Sequence, residues 1–257
     1  MMRLAPWLYF AAAYVFIYLP VGALVLFSFQ EGGLPVPPFE GPSLKWYAEV
    51  LGDDDLMDAL LNSVIVAIGS GAGAVVLGFL AAYGLARHTL PGSVVLRGLL
   101  IAPLTVSYLI VGLGLLIVIN RLGLGLSLWT AGIGHVVINL PLCFAIIYAS
   151  MGAQQQNAER AARDLGAGEA QVVLLVTAPM LMPAILAAFF LSVTLSWDEF
   201  IIAFLLTRFD VTLPVEIWSL LRSGLSPALN AIGSFVFLIS VTIVLVLELL
   251  VFGRRRA

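Results

Sequence analysis

Six stretches of this chain stay apolar for longer than a soluble core helix needs. They cover about residues 7–29, 60–86, 96–119, 129–150, 180–206 and 230–252. A helix rises about 1.5 Å per residue, so about 20 apolar residues cross a hydrocarbon core of about 30 Å. Each stretch meets that length. All are far longer than a barrel strand of about 9–11 residues and lack its in–out alternation. Composition agrees: 61% of the 257 residues are hydrophobic and 11% are charged, with a mean hydropathy of +1.09. Soluble chains have about 45–50% apolar and about 25% charged residues. A soluble globular protein and a disordered chain are therefore both excluded. The expected fold is an all-α integral membrane protein, with six transmembrane helices in one domain over 1–257.

The first stretch follows Arg3. It is too long for the apolar part of a signal peptide and ends without a small-residue cleavage pattern, so it reads as a retained first helix. Inside the second stretch, Gly69 and Gly73 form a GxxxG pair that lets two helices approach closely. No Lys-Ser/Thr pair follows, so these glycines are not a phosphate loop. Cys143 is the single cysteine, sits in an apolar stretch and reads as a packing residue. His88 and His135 stand alone, and no spaced-ligand metal site is expected.

Orientation follows the distribution of Lys and Arg. With the N-terminus in the cytoplasm, Arg3, Arg87, Arg97, Arg160, Arg163, Arg254, Arg255 and Arg256 fall inside. Lys45, Arg121, Arg208 and Arg222 fall outside. Both termini are then cytoplasmic. The outer loop 30–59 gathers Glu31, Glu40, Glu49, Asp53, Asp54, Asp55 and Asp58 against Lys45. Its Gly-Pro-rich start forbids helix. Residues 43–51 then read as a short amphipathic helix at the membrane surface. Trp46 and Tyr47 suit an interfacial aromatic belt, and Trp46 is alternatively the outer closure of a translocation path.

The inner loop 151–178 is the other long connection. Good helix formers run from Gln154 to Arg163, Gly166 and Gly168 turn the chain, and a second helical run over 169–176 enters the membrane at Pro179. The alanines leave a low-relief surface that another protein can approach. A solvated surface helix is the plainer alternative.

Here the chain resembles the permease subunits of bacterial ABC importers. Those carry Glu-Ala-Ala, three residues, Gly, nine residues, Ile, one residue, and Leu-Pro. The matching positions are Arg160-Ala161-Ala162, Gly166, Val176 and Ala178-Pro179. Arg160 stands where the family has Glu, and Glu159 lies one position earlier. The resemblance implies a MetI-like permease of the type I importers, with Glu159, Arg160, Ala161, Ala162, Asp164, Gly166 and Pro179 coupling it to a cytoplasmic ATPase. It extends to Leu44–Tyr47, Leu61-Asn62-Ser63, Pro103, Gly112 and Ser196–Phe200. Together these look like the polyamine-importer branch, for putrescine or spermidine. The implied partners are an ABC ATPase dimer, a second related permease, a periplasmic binding protein and the bilayer of a bacterial inner membrane. No nucleic-acid partner is implied. ATP and Mg²⁺ belong to the ATPase, so this chain is expected to bind no cofactor and to catalyse nothing itself.

Asp198 and Glu199 fall in the outer half of the fifth stretch. A charge at the centre of a membrane helix costs about 2.5–3.5 kcal/mol on insertion scales, so two adjacent acids need a reason. On one continuous helix they point about 100° apart, and at most one faces a pore squarely. One reading is a cation site, with Ser196 as hydrogen-bond partner and Trp197 or Trp46 as a cation–π face. The other is a structural pair with Arg208, Arg222 or a partner subunit. Tyr108 stands where similar polyamine permeases often carry an acid, and it can still stack on or hydrogen-bond an amine. Glu169 reads as solvated or ATPase-facing. Glu248 reads as reaching residues 254–256 or water by snorkelling.

Three rivals remain at this point. An ion-coupled carrier would use Asp198 and Glu199 as its ion site, but has no reason to carry the inner-loop motif. An intramembrane enzyme lacks a convincing Ser/His, paired-Asp or His-ligand set. The same architecture also serves other small solutes, such as another amine, an iron complex or a phosphonate.

Overall fold

The computed structural model describes residues 4–252. Arg3, Arg254, Arg255 and Arg256 lie outside the described residues, as does the side chain of Glu248. Thirteen α-helical segments follow one another among the described residues. They are α1 (Leu4–Ser28), α2 (Lys45–Leu51), α3 (Asp54–Arg87), α4 (Ser93–Ile101), α5 (Tyr108–Arg121), α6 (Leu128–Ala149), α7 (Ala153–Asp164), α8 (Glu169–Gln171), α9 (Ala178–Met180), α10 (Met182–Trp197), α11 (Ile201–Leu206), α12 (Leu213–Ser223) and α13 (Pro227–Phe252). A 3₁₀ turn over Ala102–Thr105 joins α4 towards α5, and a π-helical turn over Val172–Thr177 joins α8 to α9.

The apolar stretches become helices, but not all become straight ones. Helices α1, α3 and α6 are each long and apolar enough to cross a membrane. The third stretch is a bent pair instead, Ser93–Thr105 and Tyr108–Arg121, meeting at 108°. Pro103 sits in the 3₁₀ turn at that bend, where its missing N–H breaks the helical ladder. The fifth stretch is entered through a second bend of 74° between Glu169–Met180 and Met182–Trp197. Counting each bent pair as one span gives five. Helix α13 covers the sixth stretch with 26 residues.

Contacts group the chain into two compact units, Met1–Met57 with Glu216–Ala257, and Asp58–Val215. In the first, α13 packs against α1 and α2. The segment after α1 is pinned to α2 by Trp46, whose indole N–H donates to the Gln30 carbonyl at 2.7 Å. Ser28 Oγ and the Tyr47 hydroxyl share a hydrogen bond of 2.7 Å.

The second unit is built on α6, which packs against α4, α5, α10 and α11. One core joins Ala74, Val75, Phe79 and Ala82 of α3 to Cys143, Phe144 and Ile147 of α6 and to Leu181 and Ala188. A second joins Ile119 of α5, Ala131 and Ile138 of α6, and Ile202 and Leu206 of α11. Asn62 donates to the Val211 carbonyl at 3.1 Å, and Ser63 Oγ accepts from the Leu213 N–H at 2.8 Å. Those two contacts tie the N-terminal part of α3 to the chain that follows α11.

Close approach of α3 to α6 falls lower on α3 than the GxxxG pair suggests. A Cβ on Gly69 would meet nothing within 4 Å, and one on Gly73 would meet the tip of Val136 at 3.1 Å. On Gly78 it would stand 2.8 Å from the Phe144 backbone nitrogen and 3.0 Å from Cys143 Cβ. Backbone cannot move aside as a side-chain tip can. Gly78→Val is therefore expected to cost about 1–3 kcal/mol, as overpacked cores do. Gly69→Val is expected to leave stability unchanged. Thermal unfolding of the purified chain in detergent measures both.

Candidate functional site

The acids of the fifth stretch sit at a helix break. Helix α10 ends at Trp197 and α11 starts at Ile201. The expectation of two acids on one continuous helix is corrected here, because Glu199 itself makes the break favourable. Its Oε1 accepts from the Ile201 N–H at 2.9 Å, and its Oε2 accepts from the Ile202 N–H at 2.8 Å. The Ala203 N–H lies 3.4 Å from the same oxygen. A new helix has orphan N–H groups and a positive dipole end at its start, and a carboxylate answers both. Glu199 is buried, with His135 Nε2 at 3.5 Å from Oε2.

Asp198 is the opposite case. Its side chain is exposed and makes no ion pair or side-chain hydrogen bond among the described residues. The pairing with Arg208 that the sequence allows is not formed: Arg208 lies over the Phe209 ring, 5.2 Å from its centroid. The two neighbouring acids thus have different surroundings, one engaged with the backbone and one free to meet a cation.

Behind Glu199 runs a polar seam that the sequence reading passed over. His135 Nδ1 and Ser196 Oγ lie 2.6 Å apart, and Ser196 Oγ is 3.0 Å from Ser70 Oγ. One turn along, Asn139 Nδ2 reaches the Ser192 carbonyl at 3.5 Å, and one turn further Cys143 Sγ lies 3.7 Å from the Ala188 carbonyl. A signal for it was present. His135 and Asn139 are four residues apart, as are Ser192 and Ser196, which puts each pair on one helix face. Read singly, His135 looked isolated.

The remaining candidate residues are spread apart. Trp46 is buried in the first unit, and its N–H is used by Gln30. Tyr108 is half-buried at the start of α5, against the core that holds Ile202 and Leu206. Trp197 is half-buried at the end of α10. An apolar cleft of about 490 Å³ opens between α3 and α6, lined among others by Ile65, Gly69, Ser70, Trp129, Gly132 and Val136.

The inner loop folds as helix, turn, helix. Helix α7 ends because Gly166 adopts φ +90°, a left-handed conformation that suits glycine. The Ala167 N–H then donates to the Ala162 carbonyl at 3.0 Å, and the Gly166 N–H to the Arg163 carbonyl at 2.9 Å. That is the Schellman arrangement, and it explains the glycine of the motif physically. Arg160, Ala161 and Asp164 are exposed, Ala162 is half-exposed, and Pro179 is exposed in α9. Leu165 is 90% exposed at the tip. With Ala162, Gly166, Ala167, Gln171, Leu175 and Val176 it borders a shallow cleft of about 370 Å³.

Glu159 does not share that outward face. It is fully buried, and its carboxylate receives the Arg87 guanidinium at 2.6 and 3.1 Å and the Thr177 hydroxyl at 3.0 Å. Glu169 is partly exposed and not simply solvated. Arg163 donates to both of its oxygens and the Tyr83 hydroxyl donates to Oε1 at 2.6 Å. The Arg163 bonds first, then that of Tyr83, hold the Glu169 carboxyl down to about 2.

With this geometry in hand, likeness to known proteins is informative. Over 244 residues the chain is 28% identical to the spermidine/putrescine transport system permease protein PotC of Escherichia coli (strain K12), covering 94% of this chain and 92% of that one. It is 34% identical over 232 residues to the putrescine transport system permease protein PotI of the same strain, covering 87% and 82%. The fold matches a chain from the crystal structure of a bacterial ABC transporter involved in the import of the acidic polysaccharide alginate. The TM-score is 0.71 at 16% identity, over 99% of this chain and 95% of that one. A chain of an amino acid ABC transporter matches with a TM-score of 0.61 at 17% identity, over 82% and 98%. The family model described as binding-protein-dependent transport system inner membrane component matches residues 74–256. The chain belongs to that family of membrane permease subunits.

Proposed function

We propose that this chain is one permease half of an ATP-driven importer that takes up a polyamine, putrescine or spermidine, handed over by a periplasmic binding protein. Two observations support the reading. The relatives over most of the chain are named as spermidine/putrescine and putrescine permeases. Asp198 supplies an exposed, unpaired carboxylate beside the α10–α11 break, suited to attract an ammonium group. Glu199 keeps that break in shape and Trp197 borders it. Tyr108 belongs to the same neighbourhood through the Ile202–Leu206 core and offers a ring to an amine.

The motor lies elsewhere. The exposed face of α7, from Arg160 to Asp164, together with the Leu165–Gly166 tip, docks on the partner ATPase, two copies of which hold ATP and Mg²⁺. A second permease completes the pathway. Loaded binding protein outside and ATP inside then shift the pore between inward-open and outward-open forms, through their different affinities for the two. Both termini lie in the cytoplasm.

Asp198→Asn is expected to lower putrescine uptake at least tenfold with an unchanged melting temperature. Unchanged uptake removes Asp198 from the path, and uptake of a different solute instead reassigns the substrate. Glu199→Ala is expected to act on the fold: three backbone N–H groups lose their acceptor, at a cost of about 1–3 kcal/mol, seen as a lower melting temperature. Ala161→Trp places bulk on the docking face. It is expected to release the ATPase during purification while the permease stays folded, and an ATPase that stays bound counts against docking at α7.

A further inference from the structure

Glu159 is the buried member of α7, a helix whose other described residues are exposed or half-exposed. An ionised carboxylate is costly to take out of water unless it is paired and hydrogen-bonded. Here all its partners come from other segments. Arg87, the last residue of α3, supplies Nε at 2.6 Å to Oε2 and Nη2 at 3.1 Å to Oε1. This two-pronged pairing fixes orientation as well as distance. Thr177, at the end of the π-helical turn, supplies its hydroxyl at 3.0 Å to Oε1. One side chain therefore joins α7, the inner end of α3 and the segment that leads through α9 into α10.

The path of the chain makes this join mechanically important. By covalent connection, α7 reaches α10 only through the Gly166 turn, α8, the π-helical turn and a 74° bend. Glycine turns and π-helical turns are places where a backbone yields easily. A push on α7 would be absorbed there. The contact of Glu159 with Thr177 bypasses the glycine turn and most of the π-helical turn, and its contact with Arg87 delivers the same push to α3. Those are the helices that carry Ser70 on one side and Ser196 on the other, joined by the Ser70–Ser196 hydrogen bond, with Asp198 directly after the end of α10. Tyr83 of α3 adds a second tie, because Arg163 of α7 and Glu169 both meet its hydroxyl, at 3.1 and 2.6 Å. That second tie is far more exposed.

We infer that the buried cluster of Arg87, Glu159 and Thr177 is the joint that transmits displacement of α7 to α3 and α10, with Glu159 as a positioning residue rather than part of the docking face. The inference rests on the proposed docking of α7 to an ATPase. A purely structural pair and a joint make different demands. A structural pair can be exchanged for apolar side chains that pack, often at no loss of stability. A joint needs the stiff, directional link itself.

The test uses the whole complex of permeases, ATPase and binding protein in liposomes. Hydrolysis is read with and without putrescine-loaded binding protein, and uptake is read as putrescine per ATP. Arg87→Met and Glu159→Met singly leave a buried charge without its partner and are expected to lower the melting temperature of the complex. The double variant Arg87→Met/Glu159→Met is expected to recover most of that loss and to retain the ATPase. Its putrescine uptake per ATP is nevertheless expected to fall at least tenfold, with hydrolysis no longer responding to the loaded binding protein. A double variant that transports like wild type overturns the proposal. So does one that stays folded but sheds its ATPase, since the pair would then serve docking. Thr177→Val, which removes one hydrogen bond at similar volume, decides the matter if the double variant does not assemble. It is expected to lower uptake per ATP severalfold, and full wild-type stimulation overturns the proposal. The docking reading fails separately, through an ATPase that remains bound to Ala161→Trp.

Discussion

A carboxylate held away from water must find its partners inside the chain, and Glu159 finds them on two other segments at once. Much of the arrangement around α7 in the second unit depends on that requirement. Without Arg87 and Thr177 around it, α7 would be held only by the more exposed tie of Arg163 to Tyr83 and Glu169. With them, its Arg160–Asp164 face is turned outward and the glycine-terminated tip beyond it is presented at a defined angle. The same logic operates at the α10–α11 break. Glu199 is buried and is answered by the N-terminus of α11, which creates a break in the fifth apolar stretch and leaves Asp198 exposed beside it.

Both devices follow from the scarcity of water among membrane helices. Backbone groups freed by a break must be satisfied by protein, and irregular backbone is tolerated where it is buried or lines a cavity. The α10–α11 break meets that condition through Glu199. The polar seam of His135, Asn139, Ser192 and Ser196 follows the same rule only in part between two intact helices. His135 meets Ser196 and Asn139 Nδ2 meets the Ser192 carbonyl one turn along, while Asn139 Oδ1 finds no hydrogen-bond partner among the described residues.

What was legible in the sequence divides along the same line. Apolar length is a one-dimensional property, so some helix bounds lie close to the apolar stretches, Leu128–Ala149 for 129–150 and Pro227–Phe252 for 230–252, whereas the helix over 60–86 starts six residues earlier at Asp54. The inner-loop spacing was readable because Gly166 answers a local backbone demand. Bends and pairings were not. Pro103 marks a possible bend, but an angle of 108° depends on what packs around it. Gly69 and Gly73 satisfy a spacing rule, yet Gly78 makes the closest backbone approach, because the crossing point of two helices is set by both partners. Glu159 and Arg87 are 72 residues apart, and Glu199 meets His135 from 64 positions away. Adjacency in sequence made Asp198 and Glu199 look equivalent, and Glu159 and Arg160 look like one charged patch. In each pair, burial separates the two residues.

The proposed function requires that a nucleotide-driven motor be coupled to a cation path. The most direct measurement is putrescine accumulation in proteoliposomes that contain this chain, its second permease and the ATPase, with binding protein added on the outer side. Accumulation is predicted to require ATP on the ATPase side and loaded binding protein on the other, and to be indifferent to an imposed proton or sodium gradient. Accumulation driven by such a gradient with no ATP present would contradict it.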